Sequence, residues 1–278
     1  MPDRTQVLLE LALQEDIGAA DITSDAIFGD QELEKEAIIV ARQQLIVAGI
    51  DVARKTFLAI DHHLQFEPLF AEGAVVQEGQ PVIRLAGRIR SLLKGERLAL
   101  NFLQHLSGIA TYTRQFVDKV RKYPVQIFDT RKTTPGLRDL EKKAVRMGGA
   151  RNHRMGLYDR VLIKDNHIAA CGGSVGEAIR KARENLPSQT LIEVEVDRLE
   201  QIEAALKAQA EILLLDNFTP RDVKRAKKLI KDDAEIEISG GITLDNVVKY
   251  AKAGPNRISV GSLTHSAPAV DLALEIVF

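Results

Sequence analysis

Arg131, Lys132 and Arg138 lie close together, interleaved with Thr130, Thr133 and Thr134, and Arg151, His153, Arg154 and Lys164 follow in the next stretch of chain. Guanidinium, ammonium and imidazole groups gathered in this way suit a small molecule carrying several carboxylates or phosphates. Bidentate arginine contacts are directional and strengthen in a dry cleft. Solvated surface charge explains any one of these residues taken singly, but the density of the group favours an anion site. Two acidic residues, Glu195 and Asp216, each close an apolar run. Carboxylates so placed can hold ribose hydroxyls, meet a magnesium pyrophosphate or stabilise a cationic sugar centre. The alternative is simple pairing with a neighbouring lysine or arginine. Glu193 shares the strand face of Glu195, so which of the two faces a ribose stays open.

Glycine-bearing turns supply a third element: Ser239-Gly240-Gly241 and Val260-Gly261-Ser262-Leu263-Thr264, with His265 just beyond. Glycine lets backbone N–H groups close on an anion at a helix start, the usual phosphate cradle of α/β barrels. His62, His63 and His105 have no chemical company and read as packing or surface residues, and His167 reads as a partner of Asp165. Cys171, with no base beside it, is not a candidate nucleophile.

These groups need elements to position them. From Ser91 an apolar helical face runs through Leu92, Leu98, Leu103, Leu106 and Ile109. Beyond it six strand-like runs alternate with helical stretches: Val125–Phe128, Val161–Ile163, Leu191–Val196, Ile212–Leu215, Ile236–Ser239 and Arg257–Val260. Alternation of this kind calls for parallel strands with helical crossovers. Each run ends in one of the chemical groups above, as at the mouth of an α/β barrel. Six clear strands are too few for a closed eight-stranded barrel, which leaves an incomplete barrel or an open doubly wound sheet. The first third reads differently: a short helix over 6–14, a loop or helix cap at Asp21–Ser24, a strand-like run, a helix over 51–60, then turns at Gly73, Gly79, Pro81 and Gly87 linking antiparallel strands.

The totals exclude several classes. Lys plus Arg is 38 against 39 Asp plus Glu, a net charge of -1, so no broad field gathers nucleic acid or anionic membrane. A single cysteine permits no intrachain disulfide and suits a reducing cytoplasm. No apolar run approaches the roughly 20 residues of a membrane span, and the N-terminus lacks the order of a secretory signal.

Taken in order, Asp129-Thr-Arg-Lys-Thr-Thr-Pro-Gly-Leu-Arg138, Asn152-His-Arg154, Ile163-Lys-Asp-Asn-His167, Glu193-Val-Glu-Val-Asp197, Leu214-Leu-Asp-Asn-Phe218 and Ser239-Gly-Gly241 closely resemble the quinolinate phosphoribosyltransferase family. The likeness reaches from Glu15-Asp16 to Thr264-His265-Ser266, and the order and spacing of the motifs carry it. The resemblance implies an α/β fold: an N-terminal α/β sandwich domain (1–110), an incomplete, seven-stranded α/β barrel (111–265), and a C-terminal segment (266–278) packing back on the first domain. It implies transfer of a phosphoribosyl group from 5-phosphoribosyl 1-pyrophosphate to quinolinate with decarboxylation, Mg2+ arriving mainly on the pyrophosphate donor. It also implies a homodimer, or a higher oligomer, in which Arg97 reaches the partner's site. Lys132, Lys164, Glu195 and Asp216 become the catalytic set. Arg131, Lys132, His153, Arg154 and Lys164 would surround quinolinate and the anionic parts of the donor, Thr130 is a further substrate-binding residue, and Ser239, Gly240, Gly261 and His265 become the phosphate-binding set. Two departures stand out: Ala150 where family members often carry a third glycine, and Ala20 before Asp21. Rival readings are a paralogous branch associated with molybdate transport, a Schiff-base lyase built on Lys164 or Lys132, and a non-catalytic phosphosugar-binding protein.

Overall fold

The computed structural model describes residues 4–29 and 31–277. It divides into two compact units. The first is drawn from the chain up to Arg114, from Thr133–Gly149 and from the segment beginning at Ser266; the second takes Gln115–Lys132 and Ala150–His265.

In the first unit, helices α1 (Arg4–Ile17) and α2 (Ile22–Phe28) precede strands β1 (Glu34–Ala41) and β2 (Leu45–Ile46), helix α3 (Ile50–Ile60), and strands β3 (Gln65–Pro68), β4 (Val75–Val76) and β5 (Pro81–Arg88). The Asp21 carboxylate accepts from the Ser24 amide and so starts α2. Its departure residue, Ala20, does not sit at positive φ. The 32-residue α4 (Ile89–Val120) follows, its residues up to Arg114 in this unit and the rest in the second, and α5 (Arg138–Met147) belongs to the first unit. The last strand of the chain, β12 (Leu272–Val277), lies antiparallel to β1 and gives a four-stranded sheet of order β12-β1-β5-β3. The C-terminal segment thus becomes a sheet edge.

The core of this unit lies between sheet and helices, where Ile39, Leu85, Phe57, Leu92 and Leu103 are almost wholly buried. At Gly95 on α4, a Cβ would stand 2.6 Å from the Phe57 ring, so the helix accepts a poor helix former in order to approach α3. No helix among the described residues is long and apolar enough to cross a membrane.

The second unit holds the six runs anticipated from sequence. Strands β6 (Gln126–Phe128), β7 (Val161–Ile163), β8 (Ile192–Val196), β9 (Ile212–Asp216), β10 (Glu235–Ser239) and β11 (Arg257–Ser259) form one parallel sheet in the order β6-β11-β10-β9-β8-β7. Helices α6 (Asp165–Ala170), α7 (Val175–Glu184), α8 (Glu200–Lys207), α9 (Pro220–Ile230) and α10 (Val247–Ala251) connect the strands from β7 to β11, and α11 (Ser262–His265) follows β11. The seventh position of the expected barrel is reduced to a single parallel bridge, Phe128 to Arg151. The curved sheet therefore has two ends, Arg151 and β7. Here β7 pairs only with β8. Along β8 to β11 the residues Val194, Val196, Leu213, Leu215, Ile236, Ile238 and Ile258 are 0–1% exposed, so they form the packed side of the sheet. The alternate residues therefore face the opposite side.

Candidate active site

That opposite face is polar. Strand register sets Asp216 beside Ser239, Leu214 beside Glu237 and Glu195 beside Leu214. Burial separates two tiers: Glu195, Asp216 and Ser239 are half-buried towards the strand ends, and Glu193, Glu237 and Ser259 are buried. A cavity of about 480 Å³ opens over them, in the size range of small-molecule sites.

Of the charged residues gathered from sequence, Arg97, Arg138 and Arg151 do not line this cavity, and Arg138 starts α5 in the first unit; the other site residues expected from sequence do line it. Thr130, Arg131 and Lys132 enter from the end of β6, His153 and Arg154 from the loop after Arg151, and Lys164 from the end of β7. Glu195, Asp216, Ser239 and Gly240 come from β8 to β10, Gly261 and His265 from the turn after β11. Arg97 is exposed on α4 in the first unit.

Local hydrogen bonds fix the loops. Fully buried Asp129 accepts from the Asn152 side-chain amide at 2.6 Å and from the His153 backbone N–H at 2.7 Å, tying the Asn-His-Arg segment to the end of β6. Just upstream, Gly149 takes the left-handed φ of +95° and Ala150 does not, so the departure at Ala150 carries no strain. Thr264 donates its hydroxyl to the Lys132 carbonyl at 2.8 Å, joining the basic loop to the last glycine turn. The Asp159 carboxylate accepts from the Met155 and Gly156 amides and closes the loop that leads into β7. Gly240 is at φ +98° with a hypothetical Cβ only 2.2 Å from Asn217 Oδ1, so no side chain fits.

The electrostatics separate the two tiers. Lys164 Nζ stands 2.8 Å from Glu195 Oε2 at the half-open mouth. Asp216 accepts from the Asn217 amide at 2.7 Å. Burial, reinforced by nearby Arg131, makes the Arg154 guanidinium somewhat easier to deprotonate than usual. In the deeper tier, His153, Glu193 and Glu237 are all buried, and His153 Nε2 is 3.1 Å from Glu193 Oε2 and 3.5 Å from Glu237 Oε1. Burial first, and the Glu193 charge second, push the Glu237 carboxyl up to about 7. Among the described residues this is the one group of three whose spacing could hold a metal ion, but the imidazole nitrogen a metal would need already serves Glu193.

Sequence reasoning missed Glu237 and Ser259, both on the cavity wall. The signal existed: Glu237 precedes Ser239 by two residues, so a strand must turn both to one face. A bare glutamate in an apolar run, Glu-Ile-Glu-Ile-Ser, carries no motif of its own. The cavity also contains a buried serine hydroxyl, Ser262 Oγ, without a hydrogen-bond partner, as suits a wall built for a polar ligand.

Comparison with known proteins agrees with this geometry. Residues 21–107 match the model for the quinolinate phosphoribosyl transferase N-terminal domain, and residues 109–275 match that for the C-terminal domain. The chain is 44% identical over 269 residues to a Bacillus subtilis protein named as a probable nicotinate-nucleotide pyrophosphorylase (carboxylating), covering 97% of this chain and 92% of that one. It is 41% identical over 281 residues to the Mycobacterium leprae nicotinate-nucleotide pyrophosphorylase (carboxylating), covering 99% and 98%. The solved nicotinate-nucleotide pyrophosphorylase from Francisella tularensis superposes with a TM-score of 0.94 at 37% identity, covering 99% of this chain and 96% of that one. With both of its domains matched over nearly its whole length, the chain belongs to the quinolinate phosphoribosyltransferase family.

Proposed function

We propose that this chain joins quinolinate to the phosphoribosyl group of 5-phosphoribosyl 1-pyrophosphate, releasing pyrophosphate and CO2 and leaving nicotinate mononucleotide. The observation that carries the reading is the meeting, in one cavity of a chain of this family, of a basic group, an acidic pair and glycine turns. Quinolinate is a pyridine with two adjacent carboxylates. Arg131, Lys132 and Arg154 supply its counter-charges, and the guanidinium fork is the group best shaped for a carboxylate.

The donor enters with Mg2+ on its pyrophosphate, as part of the substrate. Its 5′-phosphate is read by Gly240, Gly261 and the hydroxyls of Ser239 and Ser262, with His265 at the rim. The ring nitrogen of quinolinate forms a bond to C1′ as the C1′–pyrophosphate bond breaks and its electron pair leaves with the pyrophosphate. Positive charge grows on the sugar, and Glu195 and Asp216 face it. Lys164, paired with Glu195, moves toward the departing anion as that charge develops.

The product is a pyridinium. Its 2-carboxylate then leaves as CO2, the bond pair stays at C2 next to the cationic nitrogen, and a proton takes its place. For that step the protein needs to hold the ring and desolvate the carboxylate. The Schiff-base alternative requires an amine free to attack a carbonyl, whereas Lys164 Nζ is engaged by the Glu195 carboxylate at 2.8 Å.

The direct test is incubation with quinolinate, the phosphoribosyl donor and Mg2+. One CO2 and one nicotinate mononucleotide per pyrophosphate are expected; pyrophosphate release without CO2, or no release at all, would rule the reaction out. A homodimer that shares its sites through Arg97 is part of this proposal, resting on the family resemblance.

A further inference from the structure

The deeper tier holds more titratable groups than the reaction uses. His153 has both ring nitrogens committed to the protein. Nδ1 accepts the backbone N–H of Arg154 at 2.8 Å, and a backbone amide can only donate, so Nδ1 carries no proton. Nε2 therefore carries the ring's single proton and donates it to Glu193. A doubly protonated ring would set Nδ1–H against the Arg154 amide and break that bond.

Around this imidazole stand two carboxylates, Glu193 on β8 at 2% exposure and Glu237 on β10 at 0%. One ligating atom of each lies within 4.8 Å of the others and of Nε2. Two buried anions beside a neutral ring would carry a large desolvation and repulsion cost. One extra proton is needed, and the imidazole has no place for it. Glu237 has such a place: its Oε1 accepts the Ser259 hydroxyl, while its Oε2 is buried and has no hydrogen-bond partner. An ionised oxygen there would be offset only by Arg257, whose Nη1 stands at the long distance of 4.0 Å while its Nη2 pairs with Glu235. Leu214 offers nothing polar from β9. Above the cluster, Arg131, Arg154, Lys132, Lys164, Glu195 and Asp216 face the open cavity.

We propose that Glu237 is a positioning residue for the transfer reaction: it carries the extra proton of the buried cluster, which keeps His153 a neutral Nε2–H ring and so fixes the backbone from which Arg154 enters the cavity. The inference deepens the proposed function and rests on it for its kinetic consequence. Burial and the Glu193 charge raise the Glu237 carboxyl in the direction this role requires. As the pH climbs past that ionisation, a second buried anion appears beneath the cavity and Arg154 loses its fixed base.

Nitrogen-15 NMR of the full-length protein tests the proton directly, with the six histidines resolved by comparison with His153→Gln. The expected spectrum at neutral pH has His153 as a neutral Nε2–H tautomer in spite of its two carboxylate neighbours. A doubly protonated or Nδ1–H ring overturns the proposal. Steady-state kinetics test the consequence. Glu237→Ala is expected to lower kcat/KM for quinolinate by about tenfold or more, mainly through KM, because the arginine is misplaced. Glu237→Gln, neutral at every pH and of the same shape, is expected to recover most of that loss and to lack the alkaline limb of the wild-type profile. Superimposable wild-type and Glu237→Gln profiles overturn the positioning role. If no nicotinate mononucleotide forms while the NMR outcome is as expected, the proposed reaction fails and the proton assignment stands.

Discussion

At the scale of single residues, charge alone does not define this site; geometry does. Arg131→Lys retains the charge and loses the planar fork, so the quinolinate KM should rise by roughly tenfold with a smaller change in kcat. Glu195→Ala should instead lower kcat more than it changes either KM, because the charge it faces exists only during transfer. A matched rise in KM with kcat preserved would remove Glu195 from that role. Two buried carboxyls also make opposite stability predictions. Burial raises Asp61, but hydrogen bonds from Arg88, the His63 amide and Ser91 outweigh it and hold the group at about 2. Its folded value is depressed, so its contribution is present above the ordinary value of 3.8 and lost as pH falls from there toward about 2. Asp61→Asn should shallow the acid unfolding curve in that window. Glu237 is raised, so the unfolded chain gives up its proton first and stability declines as pH rises from 4.5 to about 7. Glu237→Gln should remove that decline in a urea-denaturation series.

Most of the upper tier was legible from residue types because arginine, lysine and paired acids at strand ends are rare without a use. The lower tier was not, since Glu237, Ser259 and the tautomer of His153 are defined by what lies across the sheet. Neither Asp129 nor Thr264 announces that it ties two loops together.

At the scale of elements, the parallel strands were readable because each is a short apolar run closed by a polar group. All six lie where the alternation of pattern placed them. The helix anticipated over 6–14 extends over Arg4–Ile17, and of the two readings of Asp21–Ser24, loop or helix cap, the cap is observed, at the start of α2, a helix not anticipated from sequence. Local polarity hid that helix: Ile22-Thr-Ser-Asp offers almost no apolar face. Two glycines show how backbone and packing decide differently. Gly95→Ala improves helix propensity by about 1 kcal/mol. It also drives a methyl group into the Phe57 ring, so a net loss of about 1–3 kcal/mol is expected by thermal or chemical unfolding. Gly240→Ala meets Asn217 and a left-handed backbone together. Its turn should open, and KM for the phosphoribosyl donor should rise well before global stability falls; an unaltered donor KM would detach that turn from phosphate binding.

At the scale of the whole molecule, the sequence is folded as two units that do not follow chain order, since Thr133–Gly149 and the C-terminal strand belong with the first. Residue patterns could not announce this, because the pairing of β12 with β1 joins segments over 230 residues apart. If Arg97 completes a partner's site, Arg97→Ala and Glu195→Ala proteins, each poorly active, should regain part of the activity when mixed and allowed to exchange subunits. Mixed samples no more active than their components would show that each chain works with its own arginine.

The curved sheet that ends at Arg151 on one side and β7 on the other has a final consequence. Strand β7 is three residues long and bonded along one side only, yet it delivers Lys164. Backbone amides of Val161–Ile163 should therefore exchange with deuterium sooner than those of β9 or β10, which are bonded on both sides. A substrate that engages Arg154 and Lys164 together would act as a clasp across the unzipped edge, slowing that exchange and turning an unfinished ring into one closed by its own cargo.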